Sequence, residues 1–122
     1  MHGLSLASDL VEKALKTLED YHVREIRKIE VEVGELAGIS PGELQSGFSI
    51  AASGTPLRDA ELSIKIKKAR IRCHNCGYNG PIESGKHPHL HVSPRCPGCH
   101  GFGIEILEGG GVTLRNLDVE LE

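Results

Sequence analysis

The sequence predicts an α+β fold: two helices on one face of a three-stranded sheet, with a small four-cysteine module inserted ahead of the last strand. Three observations carry this. Two stretches repeat apolar residues at steps of three and four, as a helix stripe does. Three others alternate apolar and charged residues, as strands with one covered face do. Between the second and third of these strands lie two Cys-x-x-C pairs, Cys73/Cys76 and Cys96/Cys99.

The first helix rests on Leu4, Ala7, Leu10, Val11, Ala14, Leu15, Leu18 and Tyr21, a single apolar stripe. It is expected from near Ser5 to near Asp20, leaving Met1, His2 and Gly3 as a short free arm. The first strand reads R-K-I-E-V-E-V from Arg27, with Ile29, Val31 and Val33 on the covered side, and Gly34 stops it. Ser40-Pro41-Gly42-Glu43 then announces a second helix. Ser suits the N-cap, Pro the first helical position, and Glu three residues on completes a capping box. Leu44, Phe48, Ala51 and Ala52 line its inner face, and Gly47 in its middle suggests close packing on the sheet. Ser53-Gly54-Thr55-Pro56 closes it.

Leu62, Ile64 and Ile66 form the second alternating strand. Ala69 and Ile71 continue the alternation one residue out of step, so a hinge or bulge is expected near Lys67-Lys68. Gly80-Pro81, Gly85 and His87-Pro88 read as loop with room for one short strand pair. Residues 101–107 carry a further short strand, Gly109-Gly110-Gly111 reads as a flexible return, and Leu117, Val119 and Leu121 alternate in the last strand. The expected domains are therefore residues 1–68 with 112–122, and an inserted module at 69–111.

The chain has 122 residues and a formal net charge of −3, the size of one domain with a small satellite. No apolar run reaches membrane-spanning length and no secretory leader is legible, which points to a cytoplasmic protein. The charge is uneven. Between Leu62 and Arg95 the bases Lys65, Lys67, Lys68, Arg70, Arg72, Lys86 and Arg95 face one acid, Glu83. Such a basic middle either offsets a cluster of thiolates or meets an anionic partner. The aromatic side chains are only Phe48, Phe102, Tyr21 and Tyr78, too few to stack many bases.

The two Cys-x-x-C pairs have the spacing of one tetrahedral zinc site made from two short turns, a four-cysteine module of zinc-ribbon type. Gly77 after the first pair and Gly98 inside the second suit turns that need positive φ. Four sulfurs leave no position for water or substrate, so the site is structural rather than catalytic. The competing readings are two disulfides, which require an oxidising compartment, and iron held by the same sulfurs. A module of this size depends on its metal. His74 and His100 flank the cysteines and read as exposed loop residues, as do His87, His89 and His91, whose alternate spacing also allows a secondary metal site.

The amino terminus offers a different donor set. The amine of Met1, the amides of His2 and Gly3 and the His2 imidazole are four nitrogens within three residues. A planar nitrogen set suits Ni(II) or Cu(II), and because the amides must lose protons, binding weakens as pH falls. No nucleophilic constellation, phosphate-cradling loop or paired carboxylate set is discernible, so a carrier rather than an enzyme is expected.

Taken in order, Met1-His2, Leu4-Ser5-Leu6-Ala7, the run V-E-V-G-E-L-A-G-I-S-P-G-E-L from Val31, Ser53 to Leu57, Ala60 to Ile64, Arg72 to Gly77 and Arg95 to Cys99 resemble the HypA family of nickel metallochaperones. The resemblance covers nearly the whole chain. It implies His2 as nickel ligand, assisted by backbone nitrogens of Met1, His2 and Gly3, and Cys73, Cys76, Cys96 and Cys99 as zinc ligands. It also implies delivery of nickel to the [NiFe]-hydrogenase large subunit together with a HypB-type GTPase. Two positions depart from the pattern: Gly3 stands where the family usually has Glu, and His100 where glycine is common. The alternative is a zinc-ribbon nucleic-acid-binding module working through the basic middle, with steeply salt-dependent binding.

Overall fold

The computed structural model describes residues 2–82 and 95–122. The elements in order are α1 (His2–Thr17), β1 (Val23–Gly34), α2 (Pro41–Ala52), β2 (Glu61–Lys67), β3 (Arg70–Cys73), β4 (Asn79–Pro81), β5 (Ile104–Glu108) and β6 (Val112–Leu121). One three-stranded sheet has the order β2-β1-β6 and a second has β4-β3-β5. The chain divides into two compact units: Met1–Glu32 with Ile39–Lys65 and Thr113–Glu122, and Val33–Gly38 with Ile66–Val112.

The first unit is built on helix pairing and a one-faced sheet. In α1 the stripe buries Ala7, Leu10, Val11 and Ala14. In α2 it buries Leu44, Gly47, Phe48 and Ala52. Along β1, Ile29 and Val31 are buried while Lys28, Glu30 and Glu32 between them stay partly exposed, so the sheet covers a core on one side only. The α2 start is the one its sequence announces. Ser40 Oγ accepts from the Glu43 amide at 3.1 Å, and the Glu43 carboxylate accepts from the Ser40 amide at 3.3 Å. At its end Thr55 Oγ1 donates to the Ala52 carbonyl at 2.7 Å and accepts from the Leu57 amide at 3.1 Å, seating Leu57 fully inside.

The first helix departs from expectation at both ends. It stops at Thr17, where the Thr17 hydroxyl donates to the Lys13 carbonyl at 2.8 Å and competes with the helical ladder. Tyr21 therefore lies past the helix and is 57% exposed rather than in the stripe. At the other end there is no free arm before Ser5: His2 and Gly3 are helical and Gly3 is buried. The cause is α2. A Cβ on Gly3 would lie 2.7 Å from the Glu43 carbonyl oxygen, and one on Gly47 would lie 2.5 Å from the Gly3 carbonyl oxygen. The mid-helix glycine thus serves a helix–helix crossing, not packing on the sheet.

The second unit begins where the alternation slips. Residues 68 and 69 separate β2 from β3, as the phase change near Lys67-Lys68 requires. Strand β3 pairs antiparallel with β4 and with β5, with a register shift at Arg70/Ile71. Its apolar cluster is small: Ala69, Ile71 and Ile82, flanked by Leu36, Tyr78 and Ile104. The segment 33–38 belongs to it through backbone bonds: Gly34 N–H to the Gly111 carbonyl at 2.8 Å, Glu35 N–H to Lys67 at 2.8 Å and Leu36 N–H to Gly109 at 2.9 Å. The Glu35 carboxylate also accepts from the Ala69 amide at 2.9 Å.

The triple glycine is correspondingly not a flexible return. Gly109 holds φ +80°, and a Cβ on Gly34 would fall 2.1 Å from its carbonyl oxygen. Glycine at both positions lets two backbones touch.

Candidate metal centre

Each Cys-x-x-C pair folds into a turn of the same build. In the first, the Cys73 amide donates to the Tyr78 carbonyl at 2.7 Å and the Gly77 amide to the Cys73 carbonyl at 3.2 Å. In the second, the Cys96 amide donates to Gly101 at 2.9 Å and the His100 amide to Cys96 at 2.9 Å. The residue after the second cysteine of each pair has positive φ: Gly77 at 79° and His100 at 62°. Gly98, expected to supply such a conformation, does not; its amide instead donates to Cys96 Sγ at 3.3 Å, as the Asn75 amide does to Cys73 Sγ at 3.4 Å. The signal for the left-handed position was the place directly after each pair, shared by Gly77 and His100.

The two turns bring four sulfurs together. Cys73 Sγ lies 3.7 Å from Cys99 Sγ and Cys76 Sγ 3.5 Å from Cys96 Sγ, and all four fall within 4.8 Å of one another. A disulfide needs sulfurs about 2.05 Å apart, and the four cysteines are free of one another. A tetrahedron with metal–sulfur bonds of about 2.3 Å has sulfur–sulfur edges of about 3.8 Å. The donor set therefore fits a tetrahedral ion with all four positions filled by protein.

The electrostatics ask for a cation. The amides of Cys76 and Asn75 pull the Cys73 thiol down to about 6. At Cys76 the Tyr78 amide acts in the same direction, but the neighbouring Cys96 sulfur and burial outweigh it and push the thiol up to about 12. One thiolate is readily formed and its neighbour is then resisted, which is what a cluster of sulfurs does until a metal ion shares their charge. Cys73 and Cys96 are buried while Cys76 and Cys99 are exposed, so one edge of the cluster faces solvent.

The surrounding charge is partly answered from within. Arg72 pairs with Glu105, whose carboxylate also lies 3.8 Å from His74 Nε2, and Lys67 lies 3.9 Å from Glu108. Acids of β5 thus meet bases that the sequence alone showed as a one-signed run. Arg95 stacks over the Phe102 ring, 4.6 Å from its centre. His87, His89 and His91 lie outside the described residues, as does Met1. His2 opens α1 and Gly3 follows within it, so the amides of these two residues sit at a helix start, where the first amides have no helical acceptor.

An α+β chain with paired helices in one unit and a four-sulfur, fully protein-ligated metal centre in the other is the class that fold and site define. The model of a family described as hydrogenase/urease nickel incorporation, metallochaperone, hypA matches residues 1–119, and the chain belongs to that family, HypA. Its role is accordingly that of a nickel metallochaperone in hydrogenase maturation and not that of an enzyme. The chain is similar to the hydrogenase maturation factor HypA of Methanocella arvoryzae, 35% identical over 121 residues, covering 99% of this chain and 100% of the relative. It is similar also to that of Desulfitobacterium hafniense, 32% identical over 120 residues, covering 98% and 99%. Among solved structures, the nickel metallochaperone HypA from Helicobacter pylori shares the fold with a TM-score of 0.70 at 21% identity, covering 98% of this chain and 97% of that one.

Proposed function

We propose that the four sulfurs of Cys73, Cys76, Cys96 and Cys99 hold a structural zinc ion, and that the cargo nickel binds at the amino terminus through His2. The observation that supports this division is the closed sulfur set. With four protein ligands in tetrahedral reach, the centre has no open position from which an ion is picked up and handed on. Zinc there neutralises the thiolates and ties two turns that share only a small apolar cluster. The cargo then needs a second donor set, and the Met1 amine, the His2 and Gly3 amides and the His2 imidazole offer the nitrogens from which it is drawn.

The domain roles follow. Residues 1–68 with 112–122 carry nickel, and 69–111 form the zinc domain. The start of a helix suits such a site, because its first amides are not committed to carbonyls. A five-membered chelate ring through His2 asks for ψ near zero, whereas helical ψ is about −42°. The first turn therefore opens by rotation at His2 as nickel enters. The partners in this reading are a HypB-type GTPase and the hydrogenase large subunit in the cytoplasm, since the chain has no nucleotide-binding loop of its own.

Calorimetry of Ni(II) added to the untagged protein tests the assignment. The expected result is about one equivalent bound in a square-planar, nitrogen-rich site, lost in His2→Ala and damaged by any amino-terminal extension. Unchanged binding by His2→Ala would refute it. A colourless metal-loaded protein is expected at the sulfur centre; the red of ferric thiolate would assign iron instead.

A further inference from the structure

The backbones of α1 and α2 touch at two glycines, and the contact is reciprocal. A Cβ on Gly47 would lie 2.5 Å from the Gly3 carbonyl oxygen, 2.7 Å from its carbon and 3.0 Å from the Leu4 nitrogen. A Cβ on Gly3 would lie 2.7 Å from the Glu43 carbonyl oxygen and 3.2 Å from its carbon. These are backbone atoms within helices, so they do not swing aside as a side-chain tip does. Gly47 otherwise works against its own helix, where alanine is the better helix former. Its presence in the middle of α2 is explained by what it admits, which is the peptide group of Gly3.

The atoms that face Gly47, the Gly3 carbonyl and the Leu4 nitrogen, form the peptide that directly follows the nitrogen set, one Cα beyond the Gly3 amide. We propose that Gly47 is a positioning residue for nickel: by seating the Gly3 carbonyl against α2 it gives the amino-terminal tripeptide a fixed inner end about which the first turn opens. This rests on the nickel assignment above. With the helices this close, any Cβ at position 3 meets the Glu43 backbone, so in this chain Gly3 and Gly47 act as a pair.

A methyl at position 47 forces the Gly3 carbonyl away by about 1 Å before the contact becomes ordinary. A donor set tolerates about 0.5 Å of misplacement. Gly47→Ala is therefore expected to weaken Ni(II) binding by about tenfold and to change the nickel d–d absorption of the loaded protein. Gly3→Glu acts in the same direction. Gly3→Ala combined with Gly47→Ala costs less than the two changes added, because both push the same helices apart.

The experiment is calorimetry and the nickel d–d absorption of untagged full-length protein across pH. It compares wild type, Gly47→Ala, Gly3→Ala, the double variant, His2→Ala and Ala51→Gly. The last lowers α2 stability at a position that is not among the atoms nearest Gly3, and it should bind nickel as wild type does. If His2→Ala loses nickel while Gly47→Ala keeps the wild-type affinity and d–d absorption, the positioning role is overturned and the nickel site stands. If Ala51→Gly weakens binding as much as Gly47→Ala, general helix stability explains both and the role is again overturned. If His2→Ala binds like wild type, it is the nickel assignment that fails. Should Gly47→Ala fold poorly, Gly3→Ala, whose Cβ meets the Glu43 carbonyl oxygen at 2.7 Å rather than 2.5 Å, gives the same comparison.

Discussion

His100 is the one non-glycine position with positive φ among the described residues, at 62°. A left-handed backbone costs an L-residue with a Cβ about 1–2 kcal/mol, part of which glycine gives back through its freer unfolded chain. Its counterpart in the other turn, Gly77 at 79°, meets no such cost, and a Cβ there would find open space. The two turns therefore predict substitutions of opposite sign. His100→Gly should stabilise the metal-loaded protein by about 0.5–1 kcal/mol, and Gly77→Ala should destabilise it by about 1 kcal/mol. Denaturant midpoints of the loaded variants measure both. Equal signs would mean that the turns are not equivalent, despite the matching bonds from Cys73 to Tyr78 and from Cys96 to Gly101.

At the level of elements, α2 shows how local chemistry writes a helix boundary. Its start depends on Ser40, Pro41 and Glu43, within a stretch of four residues. Ser40→Ala removes the acceptor for the Glu43 amide and frees the carboxylate that answers the Ser40 amide. The expected loss is about 1 kcal/mol, read as a lower thermal midpoint, with Ser40→Asp retaining most of it. Ser40→Ala of wild-type stability would deny the box any energetic part. Signals of this kind were legible in the sequence because partners lie within a turn. The slip between Ile66 and Ala69 was legible for the same reason, as alternation is a property of neighbours. What escaped was set by distant backbone. Gly3 meets Gly47, and Gly34 meets Gly109. No periodicity in either segment reports the other, so the tripeptide read as a free arm and the triple glycine as a loose return. Glycine marks both close approach and slack, and only the partner tells them apart.

For the whole molecule, the four-sulfur cluster was the most legible feature, since two Cys-x-x-C turns can meet around one ion whatever joins them. The nitrogens proposed for nickel were legible only as chemistry, because the setting of Gly3 depends on α2. The two units also differ in what holds them. The first buries Leu10, Val11, Ile29, Val31, Leu44, Phe48, Leu57 and Leu62, a core that stands on apolar contacts. Among the described residues the second buries Val33, Ala69, Ile71 and Ile82 besides Cys73 and Cys96. Such a core is too small to offset the chain entropy of its loops without the metal. Both helices, His2–Thr17 and Pro41–Ala52, lie in the first unit. Removing the sulfur-bound ion with a chelator under reducing conditions should therefore leave the helical far-ultraviolet signal nearly intact. Amide protection across 69–82 and 95–111 should collapse, and in a thermal melt the protein should lose one of its transitions rather than all structure. Restoring zinc should bring that protection back. Loss of the helical signal in step with the metal would show that the first unit leans on the second. Protection that survives chelation would show that β3, β4 and β5 hold without it.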